Sequence, residues 1–378
     1  MRIVQVAPFF HPHAGGVESH VRSIVREFVR EGHEVTVVTS RFRRSLPAEE
    51  RMEGYRVVRS RTLGVALNTP FDFGQLTSLR RLKADVVHLH YPPPLTAFFA
   101  TRWLGGHPRV PVCLTYHCDL YLDGLGGRAL AGLYQRVFVP PTLRAVDRIV
   151  VHTRSYGSTS AVLRGRPLEV IPSVVDLDWF RPGLDAAELR GDLRIEGKRV
   201  LAFTGRLVPH KGVDVILRAL TLLPDDVVLL VIGSGPRLAA LVGQARRLGV
   251  ANRVRFCATV TDDDLPRYLS LADIFVFPSQ NRLEGFGLVV AEAMAMGLPV
   301  VIADMPGVRE VIEPGQEGLL AEPLLADDLA AKLRILLDDP ALARKMGAAG
   351  RRRAESRYGL STVAHQLLSL YASLRAAG

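Results

Sequence analysis

Cysteine is nearly absent from this chain: Cys113, Cys118 and Cys257 are the three in 378 residues. They supply no disulfide framework and no metal-ligand spacing, which suits a reducing compartment. No run of about 18 apolar residues is free of charge, so no spanning helix is expected. The N-terminus, Met1-Arg-Ile-Val-Gln-Val-Ala-Pro8, meets proline too soon for a signal peptide and reads as a first strand. These absences together suggest a cytoplasmic protein, at most held at the inner face of a membrane. Low-complexity tracts and short-period repeats are also missing. The basic runs lack interleaved aromatics, which argues against nucleic acid as a partner.

What is present is an ordinary globular balance, 48% hydrophobic and 23% charged, in a chain long enough for two or three domains. The net charge of +10 is unevenly placed. Residues 1–172 hold 23 Lys+Arg against 13 Asp+Glu, whereas residues 173–378 hold 25 of each. Either these are scattered, solvated arginines, or the first part faces something anionic, such as phospholipid, a phosphorylated acceptor or nucleic acid.

Short β-rich runs alternate with longer amphipathic ones. Strands are expected at 3–7, 34–39, 55–59, 85–90, 110–116, 148–152 and 168–171, with helices at 17–31, 74–83, 95–104 and 129–145. The pattern then restarts, with strands at 199–204, 227–232, 254–257, 273–278 and 299–302 and helices at 213–222, 237–248, 263–271, 287–296 and 324–337. Such alternation implies parallel sheets covered by helices. The expected architecture is two α/β, Rossmann-like doubly wound domains facing across a cleft. Pro172, Pro182 and Gly183 punctuate the joint. The domains are placed at 1–172 and 173–359, with the last helix, from Leu360, returning to the first.

Four stretches carry chemistry. Glu284-Gly-Phe-Gly-Leu-Val-Val-Ala-Glu292 follows an apolar strand and enters an apolar helix. Eight helical positions span about 12 Å, too far for a shared proton or metal and suited to gripping two ends of one elongated ligand. The N–H groups of Phe286, Gly287 and Leu288 would form a helix start that favours phosphate. In Gly205-Arg206-Leu-Val-Pro-His-Lys211-Gly212, two cations share a loop between strand and helix, which suits a diphosphate. The spacing is not that of a Walker loop. His13-Ala-Gly15-Gly16-Val-Glu18 lets backbone approach a ligand, or is a plain turn. Thr115-Tyr-His117-Cys-Asp119 ends a strand; His117 is either a structural histidine or meets a sugar hydroxyl, with Asp119 to orient it or touch an acceptor. Gly233-Ser-Gly235-Pro-Arg237 only superficially suggests a dinucleotide fingerprint, because Leu238 stands where the third glycine belongs.

Together these residues resemble glycosyltransferase family 4, retaining enzymes of the two-domain GT-B fold, with mannosyltransferases among them. The resemblance spans nearly the whole chain and is most specific from Pro278 to Val301. It implies that the second domain binds a nucleotide-sugar donor and the first the acceptor, with no metal and no further cofactor. By that resemblance Arg206 and Lys211 hold the diphosphate, Glu292 the ribose and Glu284 the transferred sugar. Gly15 and Gly16 approach the donor, His117 contacts the sugar, and base contacts fall near Thr259 and Val260. The chain departs from the family at Ala258, where glycine is common, and at Ser173-Val174, where Asn-Gly is common.

GDP-mannose and a UDP-hexose both fit as donors. The acceptor is expected to be a hydroxyl on a lipid-linked, phosphorylated or polysaccharide molecule. Arg41, Arg43, Arg44, Arg80, Arg81 and Lys83 are candidates for peripheral contact with an anionic membrane, and the 129–145 helix is either an ordinary amphipathic core helix or an interfacial one. A nucleotide-sugar epimerase on the same fold and a dinucleotide-dependent oxidoreductase are the alternatives.

Overall fold

A computed structural model describes residues 1–13, 15–66, 69–72, 79, 82–92, 94–104, 110–120 and 124–377. Two compact units share the chain: Met1–Val174 with Leu360–Gly378, and Val175–Gly359.

The first unit is built on an eight-stranded sheet. Its strands are β1 (Arg2–Val6), β2 (Glu34–Arg41), β3 (Glu49–Met52), β4 (Tyr55–Arg61), β7 (Val86–Tyr91), β8 (Val112–Tyr116), β9 (Arg148–Val151) and β10 (Glu169–Val170). They lie in the order β10-β9-β8-β7-β1-β2-β4-β3, all parallel except β3, which pairs antiparallel with β4 at the edge. A small hairpin of β5 (Gly64–Ala66) and β6 (Thr69–Phe71) stands apart.

Alternation sorts this sheet's side chains. On one face Ile3, Val86, Cys113 and Val150 pack with Val21, Ile24 and Phe28 of helix α1 (Gly16–Arg30) and with Val363, Leu367 and Tyr371 of the last helix, α12 (Leu360–Ala377). The other face, with Val4, Leu89, Leu114 and Ile149, gathers Ala97 and Ala100 of α2 (Pro94–Leu104) and Val139 and Leu143 of α3 (Gly124–Arg144).

The second unit is a six-stranded, all-parallel sheet. Its strands β11 (Arg199–Thr204), β12 (Val227–Ile232), β13 (Val254–Cys257), β14 (Ile274–Phe277), β15 (Val300–Ala303) and β16 (Gly318–Ala321) lie in the order β13-β12-β11-β14-β15-β16. The order reverses between β11 and β14, so the loops after these strands diverge and leave room for a ligand. Helices α6 (Val213–Leu220), α7 (Leu238–Arg247), α9 (Leu288–Ala295), α10 (Ala326–Asp338) and α11 (Pro340–Arg357) cover it. Two short ones, α5 (Ala187–Asp192) and α8 (Leu265–Leu269), join them, and α4 (Arg154–Thr159) belongs to the first unit.

The expected strands recur within one or two residues, and β11, β12 and β13 match residue for residue. The helix expected at 74–83 lies largely outside the described residues. Sequence reasoning missed β3, β16, the β5–β6 hairpin, α4, α5 and α11. Helix α11 buries small residues instead of an apolar stripe. A side chain at Gly347 would overlap the carbonyl of Gly297, and Gly350 faces Met294.

Candidate active site

The switch point of the second unit brings two of the singled-out stretches together. The loop after β11 holds Gly205, Arg206 and Lys211, and the loop after β14 holds Glu284. Lys211 Nζ donates to Glu284 Oε2 in an ion pair whose side chains are each 15% exposed. The ammonium also lies 4.9 Å from the centre of the Phe277 ring. Arg206 is exposed, and among the described residues its guanidinium has no ion-pair or hydrogen-bond partner.

Backbone packing fixes these loops. Gly212 has φ 75°, and a Cβ there would overlap the carbonyl of Pro278. Gln280 N donates to the carbonyl of His210 at 2.7 Å, which clasps the two loops. Gly235 passes so near Leu207 that a Cβ would meet its backbone, and Leu207 N donates to Ser234 O at 2.8 Å. The glycines that looked like a broken dinucleotide fingerprint therefore seat the Arg206 loop. On the other side, a Cβ at Gly307 would meet the carbonyls of Glu284 and Gly285, so the loop after β15 backs the Glu284 turn.

Helix α9 opens at Leu288 behind Gly287, which has φ 82° and offers no capping side chain. The Phe286 ring is buried edge-on against Tyr358, 5.4 Å between centroids, so only its backbone can serve a ligand. One turn into α9 stands Glu292. Its side chain is half-buried, and among the described residues no donor or cation meets its carboxylate. Desolvation, with added repulsion from Asp262, pushes this carboxyl up to about 8. Asp262 follows Thr259 and Val260 on the loop after β13, so that loop approaches Glu292. Thr259 is exposed and Val260 rests on the core.

In the first unit, Gly15 and Gly16 open α1. The Gly15 backbone is extended, and a Cβ there would overlap the Glu18 carboxylate, which lies 2.9 Å from His13 Nδ1. At Gly16 a Cβ would meet nothing within 4 Å. Packing within this unit does not call for glycine at that position.

His117 sits at the end of β8, and both its ring nitrogens are engaged. Nδ1 lies 2.9 Å from His152 Nε2, and Nε2 lies 3.0 Å from His90 Nδ1. The structure thus gives the orienting task to two histidines rather than to Asp119. The Asp119 carboxylate instead accepts from Tyr116 at 2.8 Å and Ser160 at 2.9 Å, a brace within the first unit. His20, His88, His90, His117 and His152 are all buried. Burial holds their imidazoles below the ordinary value, His88 at about 3 and His152 at about 4. Sequence reasoning missed this cluster. Its one local signal is His88-Leu-His90, which on a strand puts both rings on one face.

With Arg41 half-buried and Arg43, Arg44 and Lys83 exposed, cations remain available on this unit's surface, while Arg80 and Arg81 lie outside the described residues. On α3, Leu130, Leu133, Val137 and Arg136 are exposed. No described helix is long and apolar enough to cross a membrane.

Comparison with known proteins agrees with this fold. Residues 14–179 match the family model described as Glycosyltransferase Family 4, and residues 185–353 match that of Glycosyl transferases group 1. A GDP-mannose-dependent alpha-(1-6)-phosphatidylinositol monomannoside mannosyltransferase of Mycobacterium tuberculosis is 30% identical, over 97% of each chain. Among solved structures, sucrose-phosphate synthase from Thermosynechococcus elongatus superposes with a TM-score of 0.83 at 24% identity, covering 100% of both chains. An Anabaena protein, HepE, in complex with UDP and glucose gives 0.80 at 20% identity, over 99% of this chain and 100% of that one.

Proposed function

The chain belongs to the glycosyltransferases of family 4 and group 1, and on that premise we propose that it transfers mannose from GDP-mannose to a hydroxyl of a lipid-linked, anionic acceptor, with retention of configuration. The name of the mycobacterial relative, a GDP-mannose-dependent phosphatidylinositol monomannoside mannosyltransferase, supports both the donor and an inositol-phospholipid type of acceptor. The basic surface of the first unit suits such an acceptor. It also suits weak peripheral contact with an anionic membrane, at up to about 1 kcal/mol per cation near the surface.

The observation that carries the reading is the Lys211–Glu284 ion pair at the switch point, with unpaired Arg206 on the same loop. A diphosphate arriving there takes Lys211 and Arg206 as its counter-charges, which removes the need for a metal at the phosphates. Glu284, released from Lys211, is then free to accept hydrogen bonds from sugar hydroxyls. Glu292 accepts from the ribose, and the start of α9 lies between the two carboxylates.

In the transfer step the bond from the anomeric carbon to the diphosphate breaks while that from the acceptor oxygen forms. Negative charge grows on the departing phosphate, where the fixed cations and helix N–H groups stabilise it. A double displacement needs a carboxylate nucleophile at the anomeric carbon. Glu284 is committed to the sugar hydroxyls, and among the described residues no other carboxylate is assigned to that task, so we favour attack on the leaving-group face, with the phosphate taking the acceptor's proton.

Calorimetry with GDP, UDP and ADP, followed by incubation of the preferred nucleotide's sugar with phosphatidylinositol vesicles, tests the proposal. Tight GDP binding and an α-mannosylated lipid are expected. Conversion of the nucleotide sugar without acceptor would replace transfer by epimerisation, and an inverted product would sink the retaining mechanism.

A further inference from the structure

In the first unit, His20 of α1, His117 after β8 and His152 after β9 offer one ring nitrogen each, all within 4.8 Å of one another. The three rings are 2%, 9% and 5% exposed. We infer that His20, His117 and His152 form a binding site for one borderline divalent cation of the Zn²⁺ class. Three imidazoles without a carboxylate select Zn²⁺, Cu²⁺ or Co²⁺ over Mg²⁺ or Ca²⁺, and leave a fourth position open.

The outer nitrogens support this assignment. His152 Nδ1 lies 3.0 Å from the carbonyl of Ile171 and must donate to it. His20 Nδ1 lies 3.0 Å from Ser173 Oγ, and His117 Nε2 lies 3.0 Å from His90 Nδ1. Each ring thus has its second nitrogen held by a partner while the first faces the common point. Metal-binding histidines are fixed in this way. With about 2.0–2.1 Å from zinc to nitrogen, tetrahedral ligands stand roughly 3.3 Å apart. His117 Nδ1 and His152 Nε2, at 2.9 Å, need only open slightly, and His20 must swing inward.

Proton bookkeeping points the same way. In the metal-free protein His152 donates through Nδ1, so a neutral ring accepts at Nε2 from His117 Nδ1–H. His117 then accepts at Nε2 from His90 Nδ1–H, and His90 turns a bare Nε2 toward Gln5 Oε1, 2.8 Å away. Two acceptors face each other there unless the Gln5 amide turns over. A cation on His117 Nδ1 reverses the chain. His117 Nε2–H donates to His90, His90 Nε2–H to Gln5 Oε1, and Gln5 Nε2 to the Tyr371 hydroxyl, 3.4 Å away. Tyr371 donates to His88 Nδ1, and His88 Nε2–H to Thr115 Oγ1 at 2.7 Å. Every ring is then neutral and every contact has one donor, with Gln5 as it stands. Burial keeps the rings unprotonated at neutral pH, so their lone pairs are available. The diphosphate cations belong to the other unit, and the inference does not depend on the transfer reaction.

Tag-free, chelator-treated protein titrated with Zn²⁺ and with Co²⁺ tests this. One equivalent should bind with a Kd of roughly 1 μM or tighter, Co²⁺ should show the strong visible bands of a four-coordinate ion, and Mg²⁺ should not compete. His20→Ala and His152→Ala should each weaken binding about 100-fold, with near-UV circular dichroism confirming the fold. His365→Ala, on the exposed side of α12, should bind as wild type does. Absence of one-equivalent binding, a six-coordinate cobalt spectrum, or binding that survives either cluster substitution overturns the site.

Discussion

Lys211 and Glu284, 73 residues apart in the chain, neutralise each other at the point where the second sheet reverses its strand order. An incoming diphosphate must break that pair. Lys211→Ala should lower kcat by about 10²–10³-fold, the range seen when one preorganised donor to a developing anion is removed, and should also weaken nucleotide diphosphate binding. Glu284→Ala should spare nucleotide affinity or tighten it several-fold, because Lys211 is left unpaired, while transfer falls. Calorimetry and steady-state rates on both variants check this. Equal losses of nucleotide binding would show that the two residues do not divide the ligand between them.

Glu292 makes a pH prediction. Its carboxyl sits at about 8 in the folded chain, against an ordinary value of 4.5. Between those values the folded state holds a proton that the unfolded state has lost, so stability falls as pH rises through this window. The loss is complete above about 8. Glu292→Gln, which cannot ionise, should match wild type near pH 4.5 and exceed it by about 1 to 3 kcal/mol above pH 8. Denaturant unfolding at both pH values measures the difference, and parallel curves would refute it.

The same carboxyl couples binding to protons. Ribose hydroxyls donating to Glu292 favour its ionised form, so nucleotide binding should release a proton between about pH 7 and 8 and tighten across that interval. Titration in two buffers of different ionisation enthalpy reads the proton directly. Glu292→Ala should abolish both the release and the tight binding.

Two glycines should behave oppositely. Gly212→Ala forces a side chain onto the Pro278 carbonyl at positive φ, costing at least the 1–2 kcal/mol typical of that backbone region and loosening the clasp that seats Lys211. Gly16→Ala meets open space, so its stability should stay within about 0.5 kcal/mol of wild type, while transfer drops if the position is kept clear for a bound molecule. Thermal melts paired with rates separate these cases.

Membrane contact should be electrostatic. Cosedimentation with anionic vesicles should exceed that with neutral ones and fall with salt. Replacing Leu133, 61% exposed on α3, by Ser should weaken it only modestly. Equal, salt-insensitive binding to both vesicle types would remove the membrane from the proposal.

Much of this was legible in the sequence because the relevant signals are local. A parallel strand buried on both faces reads as an apolar run, and the doubly wound α/β class follows from its alternation with helices. Arg206, Lys211, Glu284 and Glu292 announce themselves as charges in apolar or glycine-rich surroundings. Their mutual arrangement is not local. Nothing near Lys211 in the chain tells that Glu284 neutralises it, and nothing near Gly235 tells that it lies against Leu207. Helix α11 escaped because small residues leave no periodic stripe. The histidine cluster escaped because α1, β7 and the turns after β8 and β9 each contribute only one or two of its rings.

Helix α12 closes the first unit, packing Val363, Leu367 and Tyr371 against α1 and the sheet. The ribosome makes that helix only after the whole of the second unit. The first unit must therefore emerge with one side of its apolar core uncovered and wait, while the second, continuous from Val175 to Gly359, can close as soon as it clears the exit tunnel. Although domains usually mature in the order of their synthesis, here the later one can be completed first, and the earlier one stays incomplete until residue 360 and beyond arrive.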